Sequence, residues 1–366
     1  MAPDASIGMT YRMVHVGLGS QGKRWLTEAI PPNVEASRIE VVAAVDTDPE
    51  RHELAREELD LSPERCYTDL DTALTEHDAD CCSVVTPPAA HEPVVETALS
   101  YGLDILSEKP IADTLEGSVR IARAVEAAGA KMGLTMTHRF DRDKTTFRRA
   151  VEGAGPVDYL TARFTGNVRE RGYYSPYVHE MENMLLLDGA VHHLDMLASL
   201  VDAPCERVYA DTWVPDGADY RGDCTGLVTL TFADGTRAHY EGSYANATTL
   251  NGWGHEQLRA ECADETIILD NRNVERFGRD DDRTGGSAGR DDGERVEPVE
   301  RPTWTNAWLI EQFCDWLDGG EPMPTDVESN LQSMAVVFAA IESSETGEAV
   351  DVQALLDEAR AVPQPQ

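Results

Sequence analysis

The sequence predicts an α/β protein in two parts: a doubly wound parallel sheet, followed by an α+β domain with an open, mostly antiparallel sheet. Through roughly the first 140 residues, short β-branched runs alternate with helical patterns, which is typical of a parallel sheet covered on both faces. A glycine turn joins the first run to the first helix. After about Phe140, long alternating segments replace this pattern, and Ala233-Asp234-Gly235 between two of them indicates a hairpin.

The first part contains predicted strands that are short apolar runs rich in β-branched residues. They are Tyr11–Gly17, Arg38–Asp46, Ala79–Thr86, Asp104–Ser107 and Lys131–Thr137. Helical patterns separate them, at residues 22–30, 49–60, 91–101 and 114–129. We therefore predict a first domain over residues 1–139.

The second part, residues 140–366, begins with a predicted helix at 141–152 and has another at 185–200. Its predicted strands are Val157–Thr165, Arg207–Val214, Cys224–Phe232, Thr236–Tyr244 and Leu258–Leu269. Residues 278–300 are rich in Gly, Asp and Arg without apolar periodicity, which predicts a flexible insertion. Two closing helices, at 304–317 and 326–343, belong to a region (303–345) that we expect to pack on the first domain.

The chain is strongly acidic, with 31 Lys and Arg against 67 Asp and Glu and a formal charge of −36. This charge opposes binding to nucleic acid and to anionic membranes. No apolar run approaches the ~20 residues of a membrane helix, and Met1–Tyr11 lacks the features of a secretory signal, so we expect a cytoplasmic protein. Because self-repulsion destabilises a compact state unless salt screens it, the charge favours a halophilic source over an ordinary cytoplasm.

A glycine motif follows the first strand. Its residues are Gly17, Gly19 and Gly22, with Ser20 and Gln21 between the last two glycines. Between a strand and a helix, such glycines allow a tight turn, close approach of a pyrophosphate and close helix–strand packing, while the helix N-terminus binds the phosphates. Asp46 ends the second strand, where an acid accepts hydrogen bonds from ribose hydroxyls. The combination predicts a dinucleotide site.

Asp46 also bears on the choice of cofactor. A 2′-phosphate beside Asp46 would meet repulsion, with Asp48 two residues further on. Arg51 is the only nearby cation in the sequence. We therefore expect NAD rather than NADP.

Two further loops follow predicted strands, and so lie at the carboxyl edge of the sheet, where this fold binds ligands. One contains Thr86, Pro87 and His91, and the other contains Glu108 and Lys109. Only four of the 31 basic residues are lysines. The presence of Lys109 in this loop therefore indicates a chemical role, such as hydrogen bonding to a substrate oxygen. A solvated lysine paired with Glu108 is the alternative.

A third motif lies in the apolar helix and contains Asp188, His192, His193 and Asp195. Asp188 and His192 are four residues apart on one helix face, so the carboxylate can orient an imidazole that accepts the proton of an alcohol losing hydride. Packed histidines at a domain interface would give the same pattern. His179 and the neighbouring acids lack the zincin spacing, and we expect no metal.

With these motifs in order, the chain resembles the Gfo/Idh/MocA family of sugar and polyol oxidoreductases over nearly its whole length. The matching pieces are Gly17–Gly22, Asp46, Thr86-Pro87 with His91, Glu108-Lys109-Pro110, Asp188 with His192 and Asp195, and the closing segment Phe313–Val350. The resemblance implies a Rossmann domain that binds NAD or NADP. The glycine motif and the residues of both strand-end loops would contact the cofactor. It also implies a sugar or polyol substrate, and a homodimer or homotetramer formed through the C-terminal sheet.

The resemblance implies a catalytic trio of Lys109, Asp188 and His192. Hydride would pass between nicotinamide and a carbon of a sugar, polyol or sugar acid. His192 would exchange the hydroxyl proton, Asp188 would orient it, and Lys109 would hold the reacting oxygen, although Lys109 and His192 are interchangeable in these roles. Tyr173 and Tyr174, with His193, are candidate substrate contacts; a turn packed on the sheet is an equal explanation of the two tyrosines.

Two other functions are compatible with the same scaffold. An NAD-dependent glycosidase would keep the bound cofactor and use transient oxidation. A nucleotide-sensing regulator would bind the cofactor without catalysis, because a fold does not determine a function. The presence of both Lys109 and His192 favours an enzyme, since a sensor needs no proton relay.

Overall fold

The computed structural model of the chain describes residues 8–172, 176–279 and 292–363. These residues form two compact units. The first unit comprises the described residues of Met1–Thr137, Pro302–Leu331 and Val362–Gln366, and the second comprises those of His138–Arg301 and Gln332–Ala361. The chain therefore returns to the first unit after most of the second is complete.

Parallel strands form the sheet of the first unit, which confirms the predicted doubly wound sheet. They are β1 (Tyr11–Val16), β2 (Ile39–Val45), β3 (Cys66–Tyr67), β4 (Cys81–Val84), β5 (Asp104–Ser107) and β6 (Met132–Leu134). Their order is β3-β2-β1-β4-β5-β6, the Rossmann order, in which the strand order reverses between β1 and β4. β3 is absent from the predicted strands because two residues are too few to show an apolar run.

Helices connect these strands. They are α1 (Ser20–Arg24), which passes through a π-helical segment (Trp25–Ala29) into α2 (Ile30–Glu35), then α3 (His52–Leu59), α4 (Leu70–Glu76), α5 (His91–Ser100) and α6 (Leu115–Ala128). The α6 boundaries follow from its sequence. The Thr114 hydroxyl accepts a hydrogen bond from the Gly117 N–H at 3.0 Å, and Gly129 ends the helix in the left-handed region at φ +64°.

The second unit is built on a mixed sheet that is mostly antiparallel, as predicted. Its strands are β7 (Val157–Thr165), β8 (Cys205–Trp213), β9 (Thr225–Phe232), β10 (Arg237–Ser243), β11 (Gln257–Cys262), β12 (Glu265–Asp270), β13 (Asn273–Gly278), β14 (Glu294–Arg295) and β15 (Val350–Asp351). They are ordered β14-β13-β12-β11-β7-β10-β9-β8-β15. Within this sheet β7 and β10 run parallel. Buried and exposed residues alternate along β8 and β9, so one face is apolar and packed.

Two predictions for this sheet are wrong. The segment Leu258–Leu269 is not one strand: it turns at Ala263-Asp264, and β11 and β12 pair as a hairpin. The predicted insertion at 278–300 is not loop throughout, because β14 pairs with β13 through Glu275 and Arg276. Residues 280–291 of that segment lie outside the described residues.

The helices of the remaining chain are α7 (Arg142–Glu152), α8 (Pro176–Glu180), α9 (Val191–Ala198), α10 (Thr305–Leu317), α11 (Val327–Thr346) and α12 (Val352–Ala361). A π-helical segment, Leu185–Ala190, leads directly into α9. In the first unit α10 packs against α2, where the Asn33 amide donates to the Ala307 carbonyl at 2.9 Å. Across the described ranges, none of the helices combines the length and the apolar character needed to cross a membrane.

Candidate active site

The turn after β1 requires glycine at two of its positions. Gly17 has φ +102°, and a Cβ atom there would lie 2.3 Å from the Val85 carbonyl oxygen. A Cβ atom on Gly22 would lie 2.2 Å from the Gly17 carbonyl oxygen. The first glycine therefore brings β1 close to the end of β4, and the third lets α1 pack against its own turn.

The N-terminus of α1 is suited to an anion. Gly19 precedes the helix in an extended conformation and provides no side-chain cap, and the first turn contains no acid. Ser20 and Gln21 begin the helix with exposed side chains. The backbone N–H groups of this turn, together with the helix dipole, suit the pyrophosphate of a dinucleotide.

Asp46 supports this turn from the end of β2. Its carboxylate is 6% exposed and accepts hydrogen bonds from the Leu18 N–H at 2.7 Å and the Asp48 N–H at 2.9 Å. Arg51 lies 3.5 Å from Asp46 and 3.3 Å from Asp48, so its guanidinium is shared by two carboxylates. The acid thus holds the glycine turn from the end of β2.

The two strand-end loops are tied together by buried polar groups. One ring nitrogen of His91 contacts the Pro110 carbonyl oxygen at 3.0 Å, and the other contacts that of Thr86 at 3.0 Å. The His91 side chain is fully buried, so it joins the loop after β4 to the loop after β5. Thr86 and Lys109 are half-buried in these loops, and Pro87 is exposed.

Glu108 anchors the loop after β5. Its Oε1 atom accepts hydrogen bonds from the Gln21 amide at 3.0 Å, the Trp25 indole at 2.7 Å and the Asn306 amide at 3.1 Å. The next peptide bond, Lys109-Pro110, is cis. Glu108 therefore connects the loop that contains Lys109 to the helix that begins at the glycine turn.

A buried histidine beneath the turn is missing from the predicted site. His15 on β1 is fully buried, and its Nδ1 atom lies 2.8 Å from the Ser83 hydroxyl of β4. Burial lowers the pKa of His15 to about 4. The imidazole is therefore neutral at pH 7.

In the second unit, Asp188 and His192 lie where a π-helical segment meets α9, an irregularity frequent at functional sites. The Tyr244 hydroxyl donates to Asp188 Oδ2 at 3.2 Å. A Cβ atom on Gly189 would lie 2.5 Å from that hydroxyl oxygen, so glycine is needed for the tyrosine to reach Asp188. His192 is half-buried, and its ring centroid lies 5.8 Å from that of Trp253.

The other two residues of this motif are interior. His193 is 1% exposed and stacks between aromatic rings, with centroid distances of 5.2 Å to Phe164, 5.2 Å to Tyr240 and 5.5 Å to Trp253. Burial lowers its pKa. Asp195 is also 1% exposed, and it contacts Arg139 Nε at 3.2 Å and accepts a hydrogen bond from the Ser333 hydroxyl at 2.6 Å. Tyr173 and Tyr174 lie outside the described residues.

A cluster of buried ionisable groups adjoins these histidines, and sequence analysis did not identify it. At its centre Glu256, 1% exposed, accepts a hydrogen bond at 2.7 Å from the fully buried ammonium group of Lys144. His138 lies 3.1 Å from Glu256, and its ring centroid is 5.7 Å from that of His192. Burial lowers the pKa of His138 to about 4 and raises that of Asp141 to about 7. The scarcity of lysine, which pointed to Lys109, was a signal for Lys144 as well.

Known proteins resemble both units. Residues 11–136 match the Gfo/Idh/MocA profile described as "Oxidoreductase family, NAD-binding Rossmann fold", and residues 149–262 match the profile of the C-terminal domain. The uncharacterized protein y4oX of Sinorhizobium fredii is 47% identical over 354 residues, covering 96% of this chain and 98% of y4oX. A D-apiose dehydrogenase of Paraburkholderia graminis is 26% identical, covering 88% of this chain and 86% of that enzyme.

A solved structure has the same fold. It is an oxidoreductase from Agrobacterium radiobacter in complex with NAD+, L-tartaric acid and magnesium. It superposes with a TM-score of 0.79 at 19% sequence identity, covering 95% of this chain and all of the other.

Proposed function

Because the chain belongs to the Gfo/Idh/MocA family of NAD-binding oxidoreductases, we propose that it is an NAD-dependent dehydrogenase of a sugar, polyol or sugar acid. The observation that carries the proposal is the turn after β1, in which Asp46 holds the glycine motif beside an acid-free helix N-terminus. The sugar dehydrogenase among its relatives supports the substrate class.

The residues of this chain fit NAD. Gly17 and Gly22 leave space that a Cβ atom would fill, and the backbone of α1 presents N–H groups for the pyrophosphate. Two carboxylates, Asp46 and Asp48, share the single guanidinium group of Arg51. A 2′-phosphate would compete with both acids for that cation, which favours NAD over NADP.

We assign the proton chemistry to Lys109, Asp188 and His192. Bound NAD+ supplies the acceptor for the hydride that leaves the alcohol carbon. His192 takes the hydroxyl proton as the carbon–oxygen bond becomes double, and Asp188 stabilises the imidazolium that forms. Lys109 donates a hydrogen bond to the reacting oxygen. Tyr244 keeps Asp188 in position through its hydroxyl.

The test is a screen for NAD and NADP reduction against aldoses, inositols and sugar acids in molar KCl, followed by variants. We expect Lys109→Met and His192→Gln each to lower kcat by 10²–10⁴-fold, the range for a lost proton-transfer group. Lys131→Met and His239→Gln are matched controls outside the proposed machinery and should keep wild-type turnover. NADH binding, followed by fluorescence, separates lost chemistry from lost cofactor.

Three outcomes would contradict the proposal. Full turnover in both Lys109→Met and His192→Gln would remove these residues from the mechanism. Hydrolysis of an aryl glycoside without net NADH would indicate a glycosidase that uses transient oxidation. Binding of NAD without turnover of any sugar, polyol or sugar acid would indicate a sensor.

We also propose that the protein works in a salt-rich cytoplasm as a homodimer or homotetramer. The charge of −36 supports the first proposal. Exposed apolar side chains on one face of the nine-stranded sheet support the second: Tyr209 is 45%, Trp213 39% and Leu227 40% exposed. The melting temperature in rising KCl and the mass in solution test the two proposals.

A further inference from the structure

The second unit contains a buried group of metal-ligating side chains that the proposed reaction does not use. His138, His193 and Glu256 each offer one ligand atom, and these three atoms lie within 4.8 Å of one another. All three side chains are at least nine-tenths buried. The residues come from three separate segments: the 3₁₀ turn before α7, helix α9 and the residue before β11.

The distances within the group suit a metal ion better than hydrogen bonds. Nε2 of His138 lies 3.1 Å and Nε2 of His193 lies 3.8 Å from Glu256 Oε1. Tetrahedral zinc with bonds of 2.0–2.1 Å places its ligand atoms about 3.4 Å apart. The 3.1 Å contact is short enough for a hydrogen bond, but its direction departs from that of a well-aligned one. The carboxylate oxygen therefore lies off the axis of the His138 nitrogen, as it does when ligands converge on an ion between them.

The surroundings hold the ligands in this arrangement. Asp141 Oδ2 lies 3.4 Å from His138 Nδ1, the carboxylate–histidine pairing that orients metal-binding imidazoles. Three aromatic rings stack on His193, with interplanar angles of 26° for Phe164, 20° for Tyr240 and 19° for Trp253. Both rings thus have a fixed direction.

The charges around the group leave room for a cation. Lys144 donates to Glu256 Oε2 at 2.7 Å, so the other carboxylate oxygen faces the histidines. The Gly254 N–H donates a hydrogen bond to that oxygen at 3.0 Å. The oxygen has a second lone pair that can bind a metal ion. When ionised, Glu256, Asp141 and Asp143 carry three negative charges against the one positive charge of Lys144. Arg272 also acts on Asp141, so these acids exceed the neighbouring bases by one charge, which favours a bound cation.

We propose that His138, His193 and Glu256 bind one divalent transition-metal ion, with zinc the best fit to two imidazoles and one carboxylate. Three protein ligands are the number found in catalytic zinc sites. The site adjoins His192, because the His138 and His192 ring centroids are 5.7 Å apart. The proposal goes beyond the proposed function, replaces the expectation of no metal, and does not depend on dehydrogenase activity.

The test measures the metal itself, on full-length untagged protein without substrate or NAD. We expect about one zinc per chain by elemental analysis, and the visible absorption of four-coordinate cobalt after replacement with Co²⁺. Glu256→Gln and His138→Gln should each weaken Zn²⁺ and Co²⁺ binding at least 100-fold. His179→Gln is the matched control: His179 is fully buried in the same unit, and its Nδ1 lies 2.7 Å from the Asp219 carbonyl oxygen. It should bind metal like wild type.

One further variant keeps the test decisive if a ligand variant does not fold, as judged by circular dichroism. Asp141→Asn leaves all three ligands in place, removes a negative charge beside His138 and Lys144, and should weaken metal binding by 10–100-fold. The proposal is overturned if wild type binds neither Zn²⁺ nor Co²⁺ stoichiometrically. It is equally overturned if the folded ligand variants and Asp141→Asn bind as tightly as wild type.

Discussion

The turn after β1 and the histidine cluster of the second unit both bury ionisable groups, but they neutralise them differently. Asp46 in the turn is satisfied chiefly by backbone N–H groups, and Glu108 accepts from three neutral side chains. Glu256 in the cluster is balanced by the buried ammonium group of Lys144. Losing one neutral donor leaves other donors in place, whereas losing one buried charge leaves its partner uncompensated. The cluster should therefore be much more sensitive to single substitutions.

Lys144→Met should show the largest effect. It keeps the length of the side chain but leaves Glu256 buried without its counter-charge, and we expect a loss of about 3–5 kcal/mol in the free energy of unfolding in EDTA. Denaturant unfolding in molar KCl measures this loss. Lys23→Met is the control, because Lys23 is exposed, and should change stability by less than about 0.5 kcal/mol.

The same variant connects to the proposed metal site. An ion on Glu256 supplies positive charge that Lys144 no longer provides, so saturating Zn²⁺ should reduce the cost of Lys144→Met. Lys144→Met and Lys23→Met could instead lower the free energy of unfolding equally in EDTA. The cluster would then tolerate a lost charge as well as the turn does, and the proposed difference between the two regions would be wrong.

The next largest effect concerns His15, beneath the turn, and the dependence of stability on pH. Its pKa in the folded protein is about 4, below the usual 6.5, so between these values the unfolded chain binds a proton that the folded chain does not. The contribution of His15 to the free energy of unfolding is therefore fully present above pH 6.5 and is lost as the pH falls toward 4. Between pH 7 and pH 4.5 wild type should lose about 2–3 kcal/mol more than His15→Leu.

Denaturant unfolding of both proteins at the two pH values measures this difference. All other titrating groups are common to the two chains, so their contributions cancel. If His15→Leu lost as much stability as wild type, His15 would not be held neutral by burial.

The two regions also differ in how far the sequence could predict them. The turn is local: Gly17–Gly22 is contiguous, Asp46 ends the next strand, and both follow from the alternation of strands and helices. The parallel sheet was predictable for the same reason. Strands as short as β3 and β15 were not, because two residues contain no periodicity.

The cluster is assembled from residues distant in the chain. His138, His193 and Glu256 meet only because the turn before α7, helix α9 and the segment that leads into β11 pack together in the second unit, and no sequence spacing encodes that contact. Asp188 and His192 were found because they share one helix. The scarcity of lysine gave the only local signal for Lys144, and that signal identified a residue without its partners.

The smallest effect concerns the cofactor preference of the turn. Asp46→Ser removes the charge that opposes a 2′-phosphate and frees Arg51, which also contacts Asp48. We expect the ratio of kcat/KM for NAD to that for NADP to fall at least tenfold, about 1.4 kcal/mol in relative binding. Asp46→Asn removes the charge but keeps an oxygen acceptor for the Leu18 N–H, so it separates electrostatics from support of the turn. A fall in both variants assigns the preference to charge, and a fall in Asp46→Ser alone assigns it to the shape of the turn. No fall in either would mean that Asp46 serves the turn and does not select the cofactor.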